Sequence, residues 1–283
     1  MAARIIDGSA LAKARLAELK SRVAALAACG IVPGLATVQV GEDPASRIYI
    51  RNKARACAEA GVQSFHFDLP ASASEAEVLA LIDKLDRDDK VHGIIVQLPL
   101  PKAIDARRIS QSIAVEKDVD GFNWRNLGAL VEGTPGIVPC TPSAVMRMLD
   151  STGVAVEGRS AVVVGRSNIV GKPAALLLIA KGATVTVCHS KTTDLGAVTR
   201  QADILVVATG KANLIQGNMV KPGATVIDVG INRLPTGKIC GDVAFDEVSQ
   251  VAGWITPVPG GVGPLTVAML VENTVNAAAC RAG

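Results

Sequence analysis

The stretch Ala161-Val162-Val163-Val164-Gly165-Arg166-Ser167-Asn168-Ile169-Val170-Gly171-Lys172-Pro173 decides the fold class. It reads as an apolar strand, a glycine turn and the first turn of a helix. A helix start presents backbone N–H groups and the positive end of its dipole, which suits a pyrophosphate. Gly165 lets the turn close, and Gly171 lets helix and strand approach. The spacing is G-x-x-x-x-x-G rather than G-x-G-x-x-G, so the segment alone also admits a tight turn that binds nothing.

Downstream, strands are predicted at 160–165, 183–188, 203–208 and 224–229, with helices at 171–181 and about 194–201. This alternation predicts a parallel sheet of nucleotide-binding type. In a NAD site the second strand ends in an acid that bonds the ribose 2′-hydroxyl. Here Thr184 to Cys188 is followed by His189-Ser190-Lys191, with no acid. A 2′-phosphate would repel a carboxylate but accept bonds from Arg166, Ser190 and either His189 or Lys191, so the pattern favours NADP. Lys191 also reads as a solvated lysine, and His189 as a strand-end histidine bonded to backbone.

Upstream the same alternation recurs. A helix spans about 9–29 and a strand Leu35 to Val40. A helix follows from about Pro44 to Ala60, then strands at Ser64 to Leu69 and Gly93 to Leu98. Ser74 and Glu77 have the spacing of a capping box before an apolar helical run. This β-α-β-α-β order predicts a second parallel sheet. Residues 115–140 hold Gly, Asp and Asn with little periodicity and read as a linker and cleft wall. Thr141-Pro142 opens a helix with Thr as cap. A last helix, about 264–280, follows a Gly/Pro-rich loop. The predicted fold class is α/β: two parallel-sheet domains, the second Rossmann-like, with a cleft between them.

Composition agrees. At 283 residues, with 49% hydrophobic and 2% aromatic, the core must come from Val, Ile, Leu and Ala, the diet of buried parallel strands. A formal charge of +3 is too weak to imply a nucleic-acid partner. The longest apolar runs, Ala174 to Ala180 and Ile204 to Ala208, are too short to span a bilayer. The residues after Arg4 are too mixed for a signal peptide. Six cysteines without a C-x-x-C pair read as reduced thiols, mostly buried, in a cytoplasmic protein.

The chemistry-bearing candidates cluster in the first half. Ser46, Tyr49 and Lys53 are spaced by three and four, which places them on one helix face. Tyr49 is the only tyrosine. A ring and an ammonium one turn apart can serve a ligand together: the ring stacks on a flat group and the lysine handles protons. An ordinary amphipathic helix with an exposed lysine has the same spacing. Gln97 ends the third strand, where parallel sheets bind ligands, and its amide can hold a lysine or a water. Asp118 and Asp120 lack a further ligand pattern, so no metal is expected. One of them can face an aminopyrimidine ring, while Asp118 reads equally as a turn residue.

These residues lie in segments that resemble the bifunctional methylenetetrahydrofolate dehydrogenase/methenyltetrahydrofolate cyclohydrolase family. The segments are VGEDPASRIYIRNKARACAEAG at 40–61, GIIVQLPLP at 93–101, EKDVDGFNWRNLG at 116–128 and PCTPSAVMRML at 139–149. VVVGRSNIVGKP at 162–173, ADILVVATGKANLI at 202–215, VIDVGINR at 226–233, GDVAF at 241–245 and TPVPGGVGPLTVAMLVENT at 256–274 continue it in order. The resemblance implies that Lys53 is the catalytic lysine, that Tyr49 stacks on a folate and that Gln97 supports Lys53. It implies that Asp120 binds the pterin, with Ser46 nearby, and that Pro257, Gly260 and Gly261 wall the folate pocket. It assigns NADP contacts to Gly165, Arg166, Ser167, His189, Ser190 and Ile231, and implies a homodimer without metal.

The expected domains are 1–122 plus 265–283 for folate and catalysis, and 123–264 for NADP. The Val/Ile-rich strands of the second sheet show no obvious charged edge, which favours pairing through that domain. Two rivals stand beside this reading: a dehydrogenase without the hydrolytic step, and a nucleotide-sensing module that catalyses nothing. Lys53 with Gln97 argues against the first, and the polar set outside the nucleotide loop against the second.

Overall fold

The computed structural model describes residues 2–42 and 44–281. The chain begins with β1 (Arg4–Ile5), α1 (Gly8–Ala28), β2 (Gly34–Val40), α2 (Pro44–Ala60), β3 (Gln63–Leu69), α3 (Glu75–Asp86) and β4 (Gly93–Val96). It continues with α4 (Ala106–Ser112), α5 (Trp124–Glu132), α6 (Cys140–Thr152), β5 (Ser160–Val164), α7 (Gly171–Ala180), β6 (Thr184–Cys188), α8 (Leu195–Thr199) and β7 (Ile204–Val207). The remainder is β8 (Thr225–Asp228), β9 (Asn232–Arg233), β10 (Ile239–Cys240), α9 (Phe245–Val248), β11 (Trp254–Ile255) and α10 (Val262–Ala279). Two compact units result: Met1–Ala12 with Thr141–Thr266, and Lys13–Cys140 with Val267–Gly283.

The first unit holds a six-stranded sheet in the order β1-β11-β8-β7-β5-β6, parallel throughout. β7 and β8 are buried along their whole length. Val162, Val164, Leu205, Val207, Val226 and Ile255 form its apolar core. The chain steps from β5 to β6 on one side and returns to β7 on the other. The sheet order therefore reverses at β5, the place where such sheets bind ligands beyond their strand ends. β6 is one of the two edge strands and is partly exposed, with Val187 at 40%.

The second unit holds the parallel sheet β3-β2-β4. α3 covers it through Val78, Ile82 and Leu85, which pack with Val38 and Ile94. The capping box is present as expected: Ser74 Oγ accepts from Glu77 N, and the Glu77 carboxylate accepts from Ser74 N.

Several elements differ from the sequence reading. Residues 115–140 include α5, started by the Asn123 side chain accepting from Arg125 N and ended by Gly133 at φ +83°. Its buried face carries Asn126 beside Leu130, while Trp124 and Val131 are exposed. That inversion hides the helical period. α6 starts at Cys140, so Thr141 lies inside the helix rather than capping it. Residues 1–12 belong with the six-stranded sheet because β1 pairs with β11. Residues 123–140 belong with the three-stranded sheet, where Asn126 Nδ2 donates to Val115 O and Asp118 Oδ2. Cys57, Cys140 and Cys188 are buried, but Cys29 and Cys280 are exposed and Cys240 is intermediate, against the expectation that most would be packing residues.

Candidate active site

In the second unit, α2 follows β2 and carries Tyr49 and Lys53 one turn apart. Tyr49 is 40% exposed, a ring open to a ligand. The side chain of Ser46 lies outside the described residues. Gln97 follows β4, and its N–H donates to Val38 O at 2.8 Å, extending the ladder by one residue. Gln97 Nε2 donates to Leu98 O at 2.8 Å, which aims the amide oxygen the other way. That oxygen accepts from Lys53 Nζ at 3.0 Å. A residue on a helix and one beyond a strand, 44 positions apart, are thus joined by one bond.

The electrostatics draw in more residues. Burial lowers the Lys53 pKa below its ordinary value, opposed by the charge of Asp120. Burial raises Asp120, and Lys53 pulls it back. The Cys57 thiol is pushed up to about 12 by burial, and burial also holds Cys140 well above the usual thiol range. Both cysteines stay as neutral thiols at neutral pH. Lysine and aspartate therefore share a poorly solvated site in which each favours the other's charged form.

Asp120 sits in a chain segment that is clamped on both sides. Asn273 Nδ2 donates to Val119 O at 2.9 Å and to Val138 O at 3.0 Å. Cys140 Sγ donates to Val119 O at 3.2 Å. Gly121 has φ +74°, and a Cβ there would lie 2.7 Å from Pro139 N. The sequence reading missed Cys140 and Asn273. Their link to Asp120 is made only by folding, and neither lies at a readable spacing from it.

Asp118 and Asp120 are separated by environment. Asp118 Oδ2 accepts from Asn123 N at 2.7 Å and Asn126 Nδ2 at 2.9 Å, inside a segment bridged to Ile94. Asp118 holds the turn and the start of α5.

In the first unit, the loop between β5 and α7 explains its unusual glycine spacing. A Cβ on Gly165 would lie 2.2 Å from Ala208 O, beyond β7, and one on Gly171 would lie 2.1 Å from Gly165 O. The turn is folded back on itself and pressed against the neighbouring strand end. Ser167 Oγ accepts from Val170 N and Gly171 N at 3.2 and 3.3 Å, and Ser167 O from Lys172 N at 3.0 Å. The first N–H groups of α7 are therefore taken by Ser167 rather than left open, a correction to the sequence reading. Arg166, Ser190 and Ile231 are exposed. His189 Nδ1 accepts from Lys191 N at 3.1 Å and His189 N donates to Thr192 Oγ1 at 2.8 Å, so the strand-end histidine is tied to local backbone. In the loop before α10, Gly260 has φ +99° and its carbonyl accepts from Ser9 N at 3.1 Å. Pro257 O lies 2.4 Å from where a Gly261 Cβ would be.

A parallel sheet with a glycine turn at its reversal point defines a dinucleotide-binding α/β protein. A second α/β unit with a half-buried lysine–amide–acid set marks that protein as an enzyme. A family model described as tetrahydrofolate dehydrogenase/cyclohydrolase, catalytic domain, matches residues 6–120. One described as tetrahydrofolate dehydrogenase/cyclohydrolase, NAD(P)-binding domain, matches residues 139–282. The Bifunctional protein FolD of Bordetella avium is 60% identical over 278 residues, 98% of each chain. The crystal structure of the bifunctional FolD methylenetetrahydrofolate dehydrogenase/cyclohydrolase of Campylobacter jejuni superposes with a TM-score of 0.97 at 51% identity, covering 99% of this chain and 100% of that one. The Trypanosoma brucei dehydrogenase-cyclohydrolase, solved with NADP cofactor and inhibitor, gives a TM-score of 0.95 at 42% identity over 99% of each chain. The chain belongs to the tetrahydrofolate dehydrogenase/cyclohydrolase family.

Burial raises the Asp118 pKa to about 6 from 3.8, with the Asn123 and Asn126 bonds pulling it down. A raised carboxyl pKa contributes stability that is complete below about 3.8 and is lost as pH rises through about 6. Asp118→Asn removes that loss. Relative to wild type, the variant is expected to gain up to about 3 kcal/mol between pH 4 and pH 7. Urea unfolding at four pH values measures this, and a constant difference across the range would show that Asp118 does not titrate there.

Proposed function

We propose that this enzyme oxidises 5,10-methylenetetrahydrofolate to 5,10-methenyltetrahydrofolate with NADP, and then hydrolyses the methenyl compound to 10-formyltetrahydrofolate. The observation that carries the second step is the 3.0 Å bond from Lys53 Nζ to Gln97 Oε1 beside a half-buried carboxylate. We assign folate binding and catalysis to the unit of residues 13–140 plus 267–283, and NADP binding to the unit of residues 1–12 plus 141–266.

The nucleotide side fits NADP on this chain's own residues. The folded-back turn after Gly165 offers the backbone N–H groups of residues 166–169 to a pyrophosphate, and Arg166 and Ser190 are exposed where a 2′-phosphate would need donors. Ile231, 50% exposed, supplies an apolar contact. NADP, when bound, accepts the hydride from the bridging carbon. For that step the protein has only to position the substrate, with Tyr49 stacked on the flat ring and Asp120 bonding the aminopyrimidine.

Hydrolysis asks more of the side chains. Water attacks the cationic methenyl carbon and must lose a proton as it does so. The tetrahedral adduct then opens by breaking one carbon–nitrogen bond, and the departing nitrogen takes a proton. Burial makes the neutral amine of Lys53 more accessible than in a free lysine, and a cationic substrate would lower its pKa further. One Lys53 hydrogen is committed to Gln97, which fixes the direction of the lone pair. Lys53, directly or through a water it holds, moves the proton.

The enzyme works in the cytoplasm as a homodimer paired through the nucleotide domain. The exposed edge strand β6, with Val187 at 40%, and Ile179 on α7 at 56% support that pairing. The unpaired buried thiols of Cys57, Cys140 and Cys188 are in keeping with a reducing compartment.

Light scattering at micromolar concentration is expected to give twice the 29.1 kDa chain mass, and a monomer mass would refute the pairing. Cofactor choice is read by comparing kcat/KM for NADP and NAD. NADP should be preferred, and Arg166→Ala should narrow the gap by roughly tenfold or more, since a charge-assisted bond contributes about 1.5–3 kcal/mol. Equal use of NAD by the wild type would sink the assignment. Lys53→Met should lower methenyl hydrolysis by about 10²–10⁴-fold while some hydride transfer survives, so the variant releases methenyltetrahydrofolate. Following NADPH and methenyl absorbance together tests this. Hydrolysis near the wild-type rate would mean the lysine is misassigned. Loss of both activities in a folded variant that still binds NADP would mean that Lys53 also positions the folate.

A further inference from the structure

Beyond the strand ends of the six-stranded sheet lies a pair of buried carboxylates that the reaction as described does not use. Asp242 is fully buried. Its Oδ2 accepts from Thr209 N at 2.5 Å, Thr209 Oγ1 at 3.0 Å and Gly210 N at 2.9 Å, all just past β7. Its Oδ1 accepts from Asn232 Nδ2 at 2.8 Å, next to Ile231. Asp228, at the end of β8, holds Asp242 in turn. Asp228 Oδ1 accepts from Asp242 N at 3.0 Å and Gly230 N at 2.9 Å, and Oδ2 from Val243 N at 3.0 Å.

The packing leaves this arrangement no freedom. A Cβ on Gly230 would lie 2.2 Å from Asp242 Oδ1, and one on Gly241 would lie 1.8 Å from Asp228 Oδ2. Three chain segments, 208–210, 229–232 and 240–243, are thus one hydrogen-bonded body. That body touches the nucleotide loop, because Ala208 O is the atom a Gly165 Cβ would strike at 2.2 Å. Ile231, at 50% exposure, is carried on its surface. Every member belongs to the first unit, and none is shared with the Lys53 set.

We infer that Asp242 is a positioning residue for the hydride-transfer half of the reaction, setting the Thr209-Gly210 turn and Ile231 for the cofactor without touching it. The inference rests on the NADP reading above. The Asp242 carboxylate satisfies four donors that converge on its two oxygens. An alanine leaves all four without an acceptor and lets the two segments part. An asparagine can still turn its single oxygen to Thr209 and Gly210, and the Asn232 amide can rotate to present its own oxygen to the new NH₂.

The test uses the whole enzyme and reads its two activities separately, because hydrolysis of added methenyltetrahydrofolate needs no NADP. Asp242→Ala is expected to raise KM for NADP on the order of ten- to a hundredfold, the change that losing one or two charge-assisted bonds produces. KM for methylenetetrahydrofolate and the hydrolysis rate should stay within about twofold of wild type, inside the small effects expected away from the altered contacts. Asp242→Asn should recover most of the loss. An unchanged KM for NADP in Asp242→Ala would overturn the inference, and so would a parallel fall in both activities. If Asp242→Ala does not fold, Thr209→Val removes the hydroxyl bond to Asp242 and the one accepted from Lys211 N, leaving both backbone donors on Asp242; it should raise KM for NADP several-fold with hydrolysis intact, and no rise would overturn the inference. A wild-type enzyme that forms no NADPH from methylenetetrahydrofolate would instead refute the functional reading, whatever the variants do.

Discussion

A parallel strand covered on both faces has little room along its length for polar side chains, so its chemistry gathers at the carboxyl end. β2 and β4 are buried from end to end, as are β7 and β8. Gln97 begins where β4 stops, the glycine turn begins where β5 stops, and Thr209 and Gly230 follow β7 and β8 within two residues. The sheets do more than support these groups. The ladder bond from Gln97 N to Val38 O fixes its backbone, and only then can one amide bridge Leu98 O and Lys53 Nζ.

The same burial sorts four aspartates that look alike in the sequence. Asp118 and Asp228 are each raised to about 6 by burial; Asp118 spends Oδ2 on N–H groups at the start of α5, and Asp228 spends its oxygens on backbone N–H groups of its own turn and of residues 242–243. They are structural carboxylates. Asp242 gathers donors from two segments and ties them together. Asp120 differs from all three: its stated neighbour is a cation, Lys53, and it faces the poorly solvated site rather than a turn. A carboxylate surrounded by N–H donors is a fastener. One left with a half-buried lysine is available for a ligand.

What could be read from the residues follows from how local each feature is. Strands β2 to β8 and helices α2, α3 and α7 declare themselves through runs and periods, and the Ser74–Glu77 box through a spacing of three. The two-residue strands β1 and β11 carry no such signal, because two residues have no period. α5 was hidden because an asparagine occupies its buried face and a tryptophan its exposed one. In the site, Tyr49 and Lys53 were visible because both lie on one helix. The Lys53–Gln97 bond, the Asn273 clamp and the Asp242 hub join residues tens to more than a hundred positions apart, and no spacing rule reaches that far. Family resemblance implied a role for the Lys53–Gln97 pair that residue patterns could not, and none for Asn273 or Asp242.

Glycine shows how a short-range motif can encode a long-range contact. Gly165 and Gly171 stand six apart, which departs from the usual dinucleotide spacing and weakens the motif as a pattern. In the structure the reason is steric. Gly171 must clear the carbonyl of Gly165, and Gly165 must clear Ala208 at the next strand end. Gly230 and Gly241 play the corresponding part for the carboxylates of Asp242 and Asp228. Each of the four marks a point where backbone or carboxylate comes too close for any side chain. A stricter reading of the sequence would treat a glycine beside a strand end as a claim about what lies opposite, rather than as a turn signal alone. By that rule VIDVGINR and GDVAF each announce a partner, and the structure shows that they are partners of one another.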